Sequence, residues 1–324
     1  MITHWDELQG VRRERGHIAA EWTSLTGQHS DMVGVQRIRI DPGMWSTPLH
    51  LEGCEEEIFY VLAGTGVSVQ DAGDGLEAYD VRAGDCLVHR ALEHAHTLQA
   101  GPDGLDVLAF GQRSYAANTL LPRAGVSWLG PTWVLEGAPE DHPWAREADA
   151  GPPEVDARSP RPDRIVNVDD VPEFARSGAT VDRRGCDLGR AAGSERTGLK
   201  LYDVAPRRLM NPPHVHAAEE EVLVVLAGDG TIEVWPHPRG ATDPERFPAG
   251  HEEHPVRVGS TVALRPGSGR ATALRAGDAG ARVLAYGTRE PNDVTYYPRS
   301  GKVMLRGVGV VGRLEQLDYW EGED

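Results

Sequence analysis

Short apolar runs dominate the chain, and none of them keeps a helical period for long. "VQRIRI" (Val35 to Ile40) alternates, "IFYVL" (Ile58 to Leu62) is apolar throughout, and "GVSVQ" (Gly66 to Gln70) and "DVLAF" (Asp106 to Phe110) are of similar length. Alternation puts successive side chains on opposite faces of a sheet, and a short continuous run suits a strand covered on both faces. Gly, Asp and Pro interrupt these runs every eight to twelve residues. That spacing predicts an all-β sandwich or barrel rather than alternating strands and helices. Helix is predicted only over Thr3–Gln9 and Val171–Ser177. "GDGLEAYD" and the "GDG" of Gly228 to Gly230 read as hairpin turns; neither opens a helix, so neither is a phosphate loop.

The pattern occurs twice. "EEEIFYVLAG" (Glu55 to Gly64) and "EEEVLVVLAG" (Glu219 to Gly228) agree at seven of ten positions, at an offset of 219 − 55 = 164. Upstream, "PLHLEGC" aligns with "PPHVHAA", which puts His50 on His214 and Glu52 on His216. Downstream, "VRAGD" aligns with "VRVGS" and "TLQAGPDGLDVLAFG" with "ALRAGDAGARVLAYG"; the offset grows to about 176 because the Pro/Gly-rich connection from Trp235 to Val256 is longer. Similarity of this extent marks an internal duplication. The segment between the copies, "GAPEDHPWAREADAGPPEVDARSPRPDR", is rich in Pro, acid and small residues and reads as a solvated linker. The expected organisation is an N-terminal domain 1–138, a linker 139–164 and a C-terminal domain 165–324. The last of these ends in an extended tail, "YYPRSGKVMLRGVGVVGRLEQLDYW", with strand character.

Composition narrows the function. A chain of 324 residues suits two domains, at about 150 residues each. The net charge of −17, from 33 basic and 50 acidic residues, argues against nucleic acid and anionic membranes as partners. No apolar run approaches the roughly 20 residues of a membrane helix, and the polar N-terminus lacks the apolar core of a secretory signal. Three scattered cysteines, Cys54, Cys86 and Cys186, suit free thiols in a reducing cytosol. No Ser-His-Asp or GxSxG arrangement supports acyl chemistry.

The candidate chemistry lies at the start of each repeated strand. His50 and Glu52, two apart, project to one face, as do His214 and His216. Of each glutamate triplet, Glu57 and Glu221 share a face with the following apolar residues, leaving Glu55 and Glu56 to a solvated turn. Imidazoles and a carboxylate converging inside a small barrel form a constellation for a first-row transition metal. His251 and His254 lie on the longer connection and could reach the second site, although an acidic loop suits exposure better. Cys54 reads as a small buried filler, with a redox-sensitive thiol as the alternative. His89 is expected to hydrogen-bond locally, and Phe59, Tyr60 and Trp235 to pack in the walls.

These residues resemble the first motif of the cupin superfamily: Gly, His-x-His, three or four residues, Glu, six residues, Gly. "HVHAAEEEVLVVLAG" meets it at His214, His216, Glu221 and Gly228 without the leading glycine. "HLEGCEEEIFYVLAG" meets it at His50, Glu57 and Gly64, with Glu52 in place of the second histidine. The second cupin motif, with its fourth histidine, is matched in the first copy by "AGDCLVHRALEHAHTL", where His96 fits best and His94 is the alternative. The second copy has Thr272 at that position. The resemblance covers nearly the whole chain and implies an all-β bicupin of two tandem jelly-roll barrels with few short helices.

It further implies a divalent transition metal (Fe, Mn, Zn or Ni), held at His50, Glu52, Glu57 and His96 and at His214, His216 and Glu221. Two carboxylates facing each other without metal would repel, and one would take a proton. The expected activity is on a small oxygenated organic molecule, as a dioxygenase-type oxidoreductase or as an isomerase or decarboxylase. A non-catalytic small-molecule binding or sensory protein is the alternative. Jelly rolls leave sheet edges, so a homodimer paired through the tail is expected.

Overall fold

The computed structural model describes residues 2–114, 116–129, 143–155, 157–237, 240, 243, 245, 247–315, 317 and 320–323. Two large antiparallel sheets organise them. In the first, the order is Ile165–Asn167, Asp85–His89, Glu57–Asp71, Ala95–Gln112, Val33–Ile40, Ile18–Ser24, Val11–Arg15, with Leu76–Arg82 also pairing with Glu57–Asp71. The second repeats it: Ile2–His4, Ser260–Leu264, Glu221–Trp235, Ala271–Thr288, Thr197–Val204, Asp182–Asp187, Glu173–Ser177, with Glu252–Arg257 beside Glu221–Trp235. Among the described residues the chain is all-β with two short α-helices, Pro143–Asp149 and Leu188–Ala191.

Each sheet takes its first strand from the start of the other half of the sequence. Ile2–His4 pairs with Ser260–Leu264, and Ile165–Asn167 pairs with Asp85–His89. This corrects the two predicted helices. Thr3 and His4 belong to a strand that completes a sheet edge, and Glu173–Ser177 is a strand against Asp182–Asp187. Ladder hydrogen bonds from a distant segment override a weak local preference. The expected linker contains the helix Pro143–Asp149, whose Trp144 and Glu147 are buried, and the expected boundary at residues 138 and 139 lies outside the described residues.

The central pair of strands in each half bends at matching places. Glu57–Asp71 and Ala95–Gln112 shift register at Val61/Ala63 and Gly64/Gly66, and Glu221–Trp235 and Ala271–Thr288 shift at Val225/Ala227 and Gly228/Gly230. Such bulges kink a long strand and let one sheet roll over its own core. The motif glycine sits at the kink because nothing larger fits: a Cβ on Gly64 (φ 87°) would lie 2.3 Å from the Gly104 carbonyl oxygen, and one on Gly228 (φ 72°) 2.0 Å from that of Gly280.

Two interior clusters fill the sheets, one around Ile38, Phe59, Val61 and Leu98, the other around Tyr202, Leu223, Val225 and Leu274. A third joins the halves: Ile58, Leu108 and Phe110 pack with Leu199, Val224 and Tyr286, and the rings of Phe110 and Tyr286 are 5.1 Å apart. Burial of this shared apolar surface is the main force holding the halves together.

The middle glutamate of each triplet adds polar specificity to that interface. Glu56, 1% exposed, accepts from Ser194 Oγ (2.7 Å), Glu195 N (3.0 Å), Thr197 N (3.0 Å) and Thr197 Oγ1. Glu220, fully buried, accepts from Asp31 N (3.2 Å) and Met32 N (2.6 Å). The expectation that Glu56 sits in a solvated turn is therefore wrong: it satisfies backbone donors of the other half. Among the described residues no helix is long and apolar enough to cross a membrane.

Candidate metal centres

Three successive glutamates on an emerging strand point three ways, and only the third faces the interior site. Glu55 accepts from Ser114 N (2.7 Å), Glu56 crosses to the other half, and Glu57 meets the histidines. The second member of each pair predicted from spacing, Glu52 or His216, lies on a short strand, Leu51–Glu52 or Val215–His216, that begins immediately after the first histidine.

In the N-terminal half, His50, Glu57 and His96 each offer one donor atom, all within 4.8 Å of one another. Glu57 Oε2 lies 3.0 Å from His96 Nε2 and 3.5 Å from His50 Nε2. His96, not His94, is the histidine brought to Glu57, because the register places His96 opposite His50. His50 turns Nδ1 to the Pro48 carbonyl oxygen (2.9 Å), which aims Nε2 at the site. Glu52 lies outside this group of three. Its carboxyl faces the same interior, with Oε1 3.8 Å from His50 Nε2, and accepts from Thr119 Oγ1 at 3.1 and 3.0 Å. His89 does not hydrogen-bond as expected: its ring stacks on His96 at 3.8 Å and its buried Nδ1 has no partner. Cys54 is half-buried, with its thiol 3.7 Å from the Ala116 carbonyl oxygen.

The charges of this cluster are coupled. Burial disfavours an imidazolium at His50, but hydrogen bonding and charge from Glu57, with Glu52, outweigh it and raise the group to about 9. Burial and the charge of Glu57 push the Glu52 carboxyl well above the usual carboxylate range. Glu57 itself is held far below that range, since the imidazoles of His50 and His96 overcome its burial. Without metal, burial and the neighbouring charges therefore favour the protonated forms of Glu52 and His50. A divalent cation would replace those protons, and the donor set of imidazoles and carboxylates fits such an ion. Above the site is a cavity of about 570 Å³ lined by Trp22, Gln36, Ile38, Thr47, Phe59 and Arg113, among others.

In the C-terminal half, His214, His216 and Glu221 form the corresponding group within 4.8 Å. His214 again turns Nδ1 to a carbonyl two residues back, that of Pro212 (2.9 Å), and its Nε2 lies 3.9 Å from Glu221 Oε2. Thr272 stands opposite His214 where His96 stands opposite His50. Burial lowers the affinity of His214 for a proton. His216 has a partner that spacing did not suggest: its Nδ1 is 2.7 Å from Asp293 Oδ2. Asp293 also accepts from Thr295 Oγ1 (3.1 Å), Ala218 N (2.9 Å) and Glu219 N (3.2 Å). A carboxylate on the far ring nitrogen fixes the tautomer and orientation of a ligating imidazole. Neither His251, whose ring meets Trp235 edge-on at 4.3 Å, nor His254, bonded to Glu252 at 3.2 Å, joins the group.

Two rolled sheets in tandem, each with a His/Glu cluster inside, give the chain a bicupin fold. Neither a protein-family model nor a curated protein matches it. Solved structures do. The Lactobacillus farciminis oxalate decarboxylase formate complex aligns over 89% of this chain and 86% of that one, at 15% identity and a TM-score of 0.60. An arginine-to-alanine variant of Bacillus subtilis oxalate decarboxylase aligns over 91% and 78%, at 15% identity and 0.60. Another structure of the B. subtilis enzyme, described in terms of its Mn(II) centres, aligns over 91% and 78%, at 14% identity and 0.59.

Proposed function

We propose that this chain is a metal-dependent enzyme acting on a small oxygenated organic molecule, with its principal centre in the N-terminal half. The observation that carries this reading is the convergence of His50, Glu57 and His96 beneath a cavity of about 570 Å³. These three would hold a divalent metal, with Glu52 as a fourth donor. When bound, the metal would supply Lewis acidity toward substrate oxygens. Trp22, Ile38 and Phe59 would keep water from the cavity, and Thr119 holds the Glu52 carboxyl toward the site. The structural likeness to oxalate decarboxylases supports a small organic acid as substrate, decarboxylase or oxidoreductase chemistry, and manganese as the first metal to try. Unpaired cysteines support a cytosolic location, and exposed apolar residues along the tail, among them Val308, Val311 and Trp320, support a homodimer.

The test is elemental analysis of protein expressed with added manganese, followed by a screen of small carboxylic acids for turnover and carbon dioxide release. About one metal per N-terminal site, lost in His50→Ala, with metal-dependent turnover, is the expected result. Only trace metal in the wild type would sink the proposal. A second reading is favoured by Glu52 itself: four protein donors close a coordination sphere, as in structural sites. Tightly held metal without turnover would select it.

A further inference from the structure

A hairpin beside each site is built alike in the two halves, but only the first is seen clamped. Asn118–Leu121 pairs with Val126–Leu129, Asn118 opposite Leu129; Val294–Tyr297 pairs with Lys302–Leu305, Val294 opposite Leu305, at an offset of 294 − 118 = 176. Each hairpin carries a threonine facing its site, Thr119 opposite Glu52 and Thr295 opposite His216. Its turn carries an arginine: "LPRAG" holds Arg123 and "YPRSG" holds Arg299, again 176 apart. The helix Pro143–Asp149 clamps Arg123, whose Nη1 donates to Glu147 Oε1 (2.9 Å) and Nη2 to the carbonyl oxygens of Ala150 (3.1 Å) and Gly151 (2.7 Å). Glu147 is fully buried. Three residues before it Trp144, 6% exposed, packs with Ile18, Trp45, Leu49 and Leu121.

The same offset, carried on without a gap, puts Trp320 on Trp144 and Glu323 on Glu147. Trp320 and Glu323 are exposed and share one turn, with Glu323 N donating to the Trp320 carbonyl oxygen (3.0 Å). The matching seat is present in the C-terminal half. Val181, Leu209, Pro213 and Tyr297 stand where Ile18, Trp45, Leu49 and Leu121 do: the bridges Ile18 to Trp45 and Val181 to Leu209 correspond, and Leu49 and Pro213 each precede the first histidine. The four N-terminal residues are at most 3% exposed, whereas Val181 and Tyr297 are only partly covered. Arg299 lies beside this seat. It donates to Thr180 Oγ1 at 3.2 Å, and among the described residues no carboxylate oxygen lies within 4.0 Å of its guanidinium.

We propose that this face of the C-terminal half is the docking surface for the chain's own segment Trp320–Glu323, with Trp320 seated against Val181, Pro213 and Tyr297 and Glu323 paired with Arg299. Docking covers apolar surface and gives the Arg299 guanidinium a carboxylate. It steadies the hairpin whose Thr295, next to Asp293, holds His216, as the helix Pro143–Asp149 steadies the hairpin of Thr119. The assignment does not depend on metal at either site, and it leaves Val308 and Val311 exposed for a dimer contact. Hydrogen exchange of the full chain as purified tests it. Trp320→Ala, Glu323→Ala and Arg299→Ala each speed exchange of the hairpin amides 294–305 about tenfold, while the hairpin 118–129 is unchanged. Arg299→Ala and Glu323→Ala combined do no more than either alone, because they break one contact. Acrylamide quenching of tryptophan emission, taken as the difference between wild type and Trp320→Phe, reads the seat directly: Trp320 is shielded in the wild type and accessible in Arg299→Glu. A Trp320 accessible in the wild type, unchanged exchange, additive effects of the two charge variants, or protection that grows with protein concentration, as docking on a second copy gives, overturns the proposal.

Discussion

His50 and His214 hold one place in two copies of one framework, and each turns Nδ1 to the carbonyl two residues earlier. Beyond that histidine and the shared glutamate, Glu57 or Glu221, the sites part. The N-terminal site has Glu52, held by a threonine hydroxyl, and His96, backed by the stacked ring of His89. The C-terminal site has His216, held by Asp293, and Thr272 in the place of His96. Thr119 and Thr295 correspond, each directly opposite its Glu52 or His216. Two residues before them, the first copy has Ala117 and the second Asp293. The exchange is chemically coherent: an imidazole that needs its far nitrogen held comes with a carboxylate, and a carboxylate ligand does not. The strand framework sets where donors point, and their identities have changed in matched sets upon it.

The largest test of this contrast removes the one carboxylate common to both sites. Glu57→Ala should abolish metal at the N-terminal site and Glu221→Ala at the C-terminal one, each by more than the roughly 10–100-fold that an outer partner is worth. Metal stoichiometry should fall at one site only in each variant; loss at both would mean the sites are not independent.

Next is the interface, where the glutamates differ in how many donors they satisfy. Glu56→Ala should cost about 3 kcal/mol and Glu220→Ala about 2 kcal/mol, since buried donors left unpaired carry the full desolvation penalty. Urea unfolding measures both; a larger loss at Glu220 would reverse the order read from the hydrogen bonds.

A smaller effect is expected from Asp293→Ala, which should weaken metal about 10–100-fold at the C-terminal site alone. Retention of full affinity would show that Asp293 does not orient His216.

The smallest effect is on pH dependence. Glu52 and His50 bind protons more tightly folded than unfolded, so each adds stability at low pH that is lost as pH rises, His50 between 6.5 and about 9. His96 and His214 are shifted the other way, but they are neutral in both states above 6.5. The metal-free protein should therefore lose stability from pH 6.5 to 9, and Glu52→Gln should reduce the slope. A stability that rises over this range would contradict the charge assignment.

The duplication and the strand signals at Ile58 and Val222 were legible because short apolar runs, broken by turn residues, survive in any one copy of a sheet. Glu57 could be picked from its neighbours by counting to Gly64, and that glycine is fixed by a backbone approach too close for a Cβ. These are local facts. The preference for His96 over His94 came from the motif and the register against His50 accounts for it, whereas the partnership of His216 with Asp293, 77 residues apart, needed the loops in place. Nothing local marked Glu56 as buried either, since its donors are backbone amides and hydroxyls of the other half. The sequence by itself determined the repeat, the all-β class and the ligating strand of each copy, because side-chain period and glycine geometry act over a few residues. Only the tertiary structure decided the exchanged strands, the buried glutamates and the unlike lining of the two sites. Those depend on which distant segments meet, and on satisfying each polar group that the meeting buries.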